Sequence, residues 1–343
     1  MIDIIGTLSS MLTFCGIYTI LSLSLNLEYG YAGLPNFGKS MFYAIGAIAG
    51  GSISAHLILY FGGVVCDPWT WQATQARWQL SLSRPDLSLT LFFSSLIISA
   101  CFGAIIGYLA AYPALKLKED YLAITLLVFA EVLRVFVRTF KPIAGGPYGL
   151  SGIPHPFAWL NDVMIASVLY ALLVWIIVAF MYLFIRRIVN SPWGRLLKAI
   201  RDDEFLALSL GKKTSLIKGQ TLALGSSFAA VAGCLFAHYI SYVHADNFTT
   251  VQTFDILVIT ILGGVATLKG PVIGAVIMTL IDRLSKVIVT VGVNFIPIDL
   301  SYFRYVITGL ILILLIYYKP TGILKEEPIK TLAYKMVKNE RDS

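Results

Sequence analysis

Apolar runs about twenty residues long recur from one end of this sequence to the other and leave it few possible folds. Inside hydrocarbon every backbone N–H and C=O must be satisfied by the protein itself. Helices about twenty residues long do this locally. The runs lie at 12–27, 40–65, 87–111, 121–140, 163–185, 219–243, 272–291 and 302–318. Of 343 residues, 57 % are hydrophobic and only 13 % charged, where soluble domains have about a quarter charged. Mean hydropathy is +0.79. The expected fold class is an all-α polytopic membrane protein, one transmembrane domain over 1–343 with about 8–10 transmembrane helices.

The segments between the runs are informative. The first run stops at Glu28-Tyr-Gly-Tyr-Ala-Gly33, and the second carries Gly46, Gly50 and Gly51, which allow neighbouring helices to approach closely. Residues 63–86 hold Trp69, Trp71 and Trp78 with no adequate apolar run, so a loop or interfacial segment is expected. A glycine- and proline-rich loop covers 141–154. The stretch 254–262 is apolar but short, and Gly263-Gly264 and Lys269-Gly-Pro271 interrupt it before the run resumes. Such breaks are tolerated at membrane depth where backbone is buried in protein or faces a cavity. Two passes are expected there, the first short or discontinuous.

Between the fifth and sixth runs lies a charged, amphipathic insert, Ser191 to Gly211. Ser191 suits a helix N-cap, Pro192 its first turn and Gly211 the residue after its end, where φ is often positive. Trp193, Leu196, Leu197, Ile200, Ala207 and Leu208 recur at three- and four-residue steps and so share a helical face. Arg195, Lys198 and Arg201 precede Asp202, Asp203 and Glu204, the wrong order for the helix dipole, and a break into two short helices is expected near Asp202. Two readings follow: an amphipathic segment lying on anionic lipid, or a docking element for a cytosolic partner. The basic residues from Arg186 to Lys218 must stay out of hydrocarbon, and the positive-inside rule makes the insert and the basic tail 319–343 cytoplasmic. The same rule accounts for the net charge of +7 without nucleic acid. Arg134 and Arg138, at the outer end of the fourth run, oppose it.

One motif misleads. Gly33-Leu-Pro-Asn-Phe-Gly-Lys39-Ser40 satisfies the G-x-x-x-x-G-K-[ST] phosphate-loop pattern, but the preceding run is a span rather than a strand, and no βαβ unit surrounds it. A bend with Lys39 near the cytoplasmic interface is the expected structure. Ionisable residues inside spans are stronger signals: Glu131 with Arg134 and Arg138 on one face, Asp255, and Asp282 within reach of Lys286. Each of these also fits helix-to-helix attachment. The cysteines and histidines lack metal-ligand spacing, and no nucleophile, base and orienter set is visible, so neither a metal site nor catalysis is expected.

Taken in order, several segments resemble the permeases of ABC importers for branched-chain amino acids. They are Leu25-Asn-Leu-Glu-Tyr-Gly-Tyr-Ala-Gly33, Tyr121 to Glu131, Gly145 to Pro154, Gly194 to Glu204 with Gly211, Ala237-His-Tyr239, Leu262 to Ala275 and Lys319-Pro-Thr-Gly-Ile323. Lys39 stands where that family commonly has histidine, and Tyr148 where asparagine is common. The resemblance implies a prokaryotic inner-membrane permease that pairs with a second permease, two ATP-binding cassette subunits and an extracytoplasmic solute-binding protein. Membrane lipid surrounds it. The chain itself would hold no cofactor, ATP and Mg belonging to the partner subunits. Trp193, Leu196, Leu197, Ile200, Glu204, Ala207 and Gly211 would couple it to an ATPase, and Asn26, Gly33, Glu131, Asp255, Gly263 and Gly264 are candidates for the translocation pathway. The residues alone also fit an ion-coupled secondary transporter using Asp255 or Glu131 at broken helices, and similar permeases carry urea or short amides.

Overall fold

The structure, a computed structural model, describes residues 4–114, 119–160, 162–292, 306, 309–310, 313–314, 317–319 and 322–326, with backbone alone at 4, 113–114, 119–120 and 284–292. Most of the expected span over 302–318, a short basic turn expected at Lys116-Leu-Lys118 and most of the tail lie outside the described residues, and the expected Asp282–Lys286 pairing falls where only the Lys286 backbone is described.

The first apolar run forms α1 (Ile4–Leu25), which widens without a break into a π-helical turn over Asn26–Tyr31. Next come α2 (Lys39–Phe61), α3 (Trp71–Ser83), α4 (Pro85–Ala114), α5 (Glu119–Thr139) and the single turn α6 (Lys141–Ala144). A two-residue strand β1 (Leu150–Ser151) precedes α7 (Val163–Asn190), α8 (Pro192–Asp202), α9 (Glu204–Ser209) and α10 (Thr214–Ile240). The described helices end with α11 (Thr250–Gly263) and α12 (Gly270–Gly292), after β2 (Tyr242–Val243), which pairs antiparallel with β1. The chain is an all-α polytopic membrane protein. Among the described residues five helices are long and apolar enough to cross a membrane, at Ile5–Tyr31, Lys39–Phe61, Pro85–Tyr112, Val163–Asn190 and Thr214–Ile240.

Helix α10 runs through the middle of the bundle against α4 and α2, while α1 packs on α7, α10, α11 and α12. Lipid tails are as apolar as leucine, so close van der Waals contact between backbones has to hold such helices together. The α2–α10 contact is built that way: a Cβ at Gly46 would land on the Ala230 carbonyl, and one at Gly233 on the Tyr43 carbonyl. The interrupted stretch folds as expected, with α11 only 14 residues long and a backbone loop over 264–269 before α12.

One expectation is made specific and one is corrected. Of residues 63–86, expected as a loop or interfacial segment, 71–83 fold into the short helix α3, capped by the Thr70 hydroxyl accepting from the Ala73 N–H at 3.4 Å. Arg77 on this helix is buried and donates to the carbonyls of Ala55 (3.0 Å), Ser151 (2.9 Å) and Pro68 (2.7 Å), while Trp71 and Trp78 stay exposed. The helix period was hidden because its buried anchor is an arginine rather than an apolar residue. Lys39 is not at an interface. It starts α2 inside the bundle, wholly buried, with its ammonium 2.8 Å from the Glu28 carboxylate. No phosphate could reach it, so the phosphate-loop resemblance of 33–40 is a coincidence of composition.

Candidate functional site

The insert after α7 folds as two short helices. Ser191 accepts from the Gly194 N–H at 3.4 Å and so caps α8, and Asp203 accepts from the Leu206 N–H at 3.0 Å and so caps α9. The break therefore falls at Asp203, where the carboxylate that ends one helix starts the next. Gly211 closes the insert with φ +75°, a conformation that costs glycine nothing and other residues about 1 kcal/mol or more.

The predicted apolar face turns inward. Leu197, Ile200 and Ala207 are buried, and Trp193 and Leu196 are half-buried against the bundle core. Glu204 pairs with Lys218 at 2.6 Å, fastening α9 to the base of α10. Leu208, expected on the same face, is exposed because the break resets the helical phase. The apolar surface that α9 presents outward is instead Phe205, Leu206, Leu208 and Leu210, with Phe205 and Leu210 each 78 % exposed. Counting the period afresh from Asp203 would have found it.

What α8 attaches to is the π-helical turn. Such turns widen the helix by one residue and free backbone groups for outside partners. Arg201 donates through Nη1 to the Gly30 carbonyl at 2.7 Å, and Lys198 lies over the Tyr31 ring with Nζ 5.5 Å from its centre. Asn26 holds the 264–269 loop with both ends of its amide: Oδ1 accepts from the Ala266 N–H at 2.8 Å, and Nδ2 donates to the Thr267 carbonyl at 2.7 Å. Glu28 binds the start of α2 through Lys39 and accepts from Asn36 Nδ2 at 2.9 Å. It fits only because Gly225 of α10 has no side chain, since a Cβ there would collide with Oε1.

A third strand of chain completes the junction. The N–H groups of Ile323 and Leu324 donate to the carbonyls of Leu262 and Gly263, at 3.0 and 3.1 Å, laying 322–326 across the end of α11. Glu326 then reaches Lys198 at 2.7 Å and Arg201 at 3.0 Å, and Asp202 also accepts from Arg201 at 3.1 Å. Burial opposes the Arg201 charge, but the carboxylates of Glu326 and Asp202 outweigh it and hold the guanidinium above its ordinary pKa.

The pathway candidates separate into groups. Asn26, Gly263 and Gly264 meet at the 264–269 loop, and Gly33 packs on Arg201. Asp255 is buried on α11. Glu131 sits apart, paired with Arg134 at 2.9 Å and accepting from the Thr250 hydroxyl, while Arg134 and Arg138 both reach Asp246. That cluster ties α5 to the first residue of α11 and to the segment before it. Glu326 and Gly225 were missed as site residues, the first because its partners are over a hundred positions away and the second because a glycine inside a span is unremarkable in sequence.

The family model for the branched-chain amino acid transport system permease component matches residues 7–316. A probable branched-chain amino acid transport permease protein LivM of Methanocaldococcus jannaschii is 36 % identical over 335 residues, 95 % of this chain and 96 % of its own length. The high-affinity permease protein LivM of Escherichia coli is 28 % identical over 91 % of this chain and 68 % of its own length, and LivH of Salmonella typhimurium is 22 % identical over 90 % and 91 %. No solved structure matches the chain at a significant level. A multi-pass helical bundle with these relatives is a membrane transport component rather than an enzyme. The chain belongs to the family of branched-chain amino acid transport system permeases.

Proposed function

We propose that this chain is one of two permeases of an ATP-driven importer for branched-chain amino acids, and that α8 and α9 form its contact with a separate ATPase. The observation that carries the reading is the outward apolar face of α9, Phe205 to Leu210, on a segment bolted to the π-helical turn through Arg201 and Gly30. Exposed apolar residues in an otherwise charged, non-membrane segment favour a protein partner. Basic residues Arg186, Arg187, Arg195, Lys212, Lys213, Lys269 and Lys325 gather at this end of the bundle, which favours a cytoplasmic location for it. LivM-type and LivH-type relatives both resemble the chain, which supports a second, related permease as partner. A solute-binding protein would deliver solute at the opposite end, near α3 and the β1–β2 pair.

In this mechanism ATP and Mg act in the partner subunits, and this chain supplies the lever. Closure of the ATPases moves α9 and α8, Arg201 carries the motion to Gly30, and the neighbouring Asn26 and Glu28 pass it to the 264–269 loop and to α2. ATP can shift the equilibrium only through its preference for the closed arrangement. The test is ATP-driven leucine uptake in vesicles containing the full complex. Phe205→Glu should abolish uptake and release the ATPase from the purified complex, while the chain still inserts. Retained ATPase and normal uptake would refute the reading.

A further inference from the structure

The C-terminal part of α7, α8, the 264–269 loop and 322–326 line an open cleft of about 880 Å³ whose charged lining is entirely basic. Lys198 there is engaged by Glu326. Arg186, Arg195, Lys269 and Lys325 have no carboxylate partner within 4.0 Å among the described residues. Tyr31 and Tyr182 add hydroxyls to the wall. These four charges are all exposed at the rim and wall of one cleft, and together they give it a positive potential that attracts an anion. Directly beside it, sharing Arg186 and Asn190, runs a second groove of about 610 Å³ along Phe180, Leu183 and Phe184 on the outer side of α7, with Arg187 and Ser191 at its polar end. Phe180 is 68 % exposed and Phe184 41 %, on the surface of a membrane-spanning helix where acyl chains lie.

A basic chamber opening onto an apolar channel has the shape and polarity of an amphiphile with a negative head. We propose that the two cavities bind one anionic phospholipid, its phosphate-bearing headgroup against Arg186, Arg195, Lys269 and Lys325 and an acyl chain along Phe180, Leu183 and Phe184. A free phosphate would use the cleft but leave the groove unexplained, and an acidic peptide would leave the acyl-sized channel unfilled. Basic pockets between transmembrane helices are a recurrent way of holding such headgroups. The lipid would touch α8 through Arg195, the 264–269 loop through Lys269 and the 322–326 segment through Lys325, elements that Arg201, Asn26 and Glu326 tie to the π-helical turn and to one another. It would therefore brace the lever. The inference requires only that this end of the bundle lies at a membrane surface.

The test uses the full chain in nanodiscs of phosphatidylcholine containing phosphatidylglycerol, with bound lipid counted by native mass spectrometry. The double variant Arg186→Gln with Lys269→Gln should weaken phosphatidylglycerol retention about 30-fold, from roughly a factor of five per surface charge, and Phe180→Ala should weaken retention of long-chain but not dihexanoyl phosphatidylglycerol. The exposed pair Lys212→Gln with Lys213→Gln, outside the cleft, should leave retention unchanged. Three results would overturn the proposal: equal loss in the control pair, displacement of the lipid by millimolar inorganic phosphate, or no dependence on chain length. Thermal unfolding of each variant separates lost lipid from lost fold, and neither readout depends on transport.

Discussion

Arg201 and Gly30 are 171 positions apart in the chain, yet the guanidinium of the one donates to the backbone carbonyl of the other at 2.7 Å. The bond joins a polar helix outside the membrane spans to the last turn of the first span. Its acceptor is main chain, and a side chain at position 30 would collide with Asn26 and the Ala266 backbone, so the bond is tested cleanly only from Arg201.

Replacing Arg201 with lysine keeps the charge but loses the fork that serves Gly30, Glu326 and Asp202 together. Solute uptake by the reconstituted complex should fall about tenfold, as expected for one or two charge-assisted bonds, while ATP hydrolysis persists. Hydrolysis and uptake falling in parallel would mean that Arg201 serves assembly and not transmission.

The Glu28–Lys39 pair has no exposed atoms. Lys39→Met leaves a buried carboxylate without its cation and should cost about 3–5 kcal/mol, read as a lowered unfolding temperature in detergent. The double variant Glu28→Gln with Lys39→Met should regain most of that loss, because Asn36 can still bond the amide. A double variant no better than the single would show that the two charges do not act as a pair.

Arg77 latches α3 to carbonyls on three separate segments. Arg77→Ala should destabilise the chain by about 3 kcal/mol through its unpaired carbonyls and expose 63–84 to limited proteolysis. Cleavage elsewhere first would show that α3 is held by its other contacts.

His155 lies in the loop before α7, and burial pushes its pKa down to about 4 from 6.5. Between these values the unfolded chain binds the proton that the folded chain refuses, so stability is full above pH 6.5 and declines as pH falls toward 4. His155→Gln should flatten the pH dependence of the unfolding temperature in that window relative to the native chain. An unchanged slope would assign acid sensitivity to other groups.

Much of the fold was legible from residue order alone. The apolar runs marked the long helices, Ser191 and Gly211 marked the outer ends of α8 and α9 through a cap three residues long and a positive φ, and the order of charges placed the break within a residue of Asp203. The broken passage at Gly263-Gly264 was also plain, since glycine and proline act where they stand.

Sequence thus determined that the chain spans a membrane with a two-part polar insert, because hydrophobic period and capping are local properties. Tertiary structure decided that Lys39 lies sealed against Glu28, that α9 and not α8 shows its apolar side, and that Asn26, Gly30, Arg201 and Glu326 converge. Those outcomes depend on which surfaces meet when distant helices pack, and a buried charge finds its partner only in three dimensions.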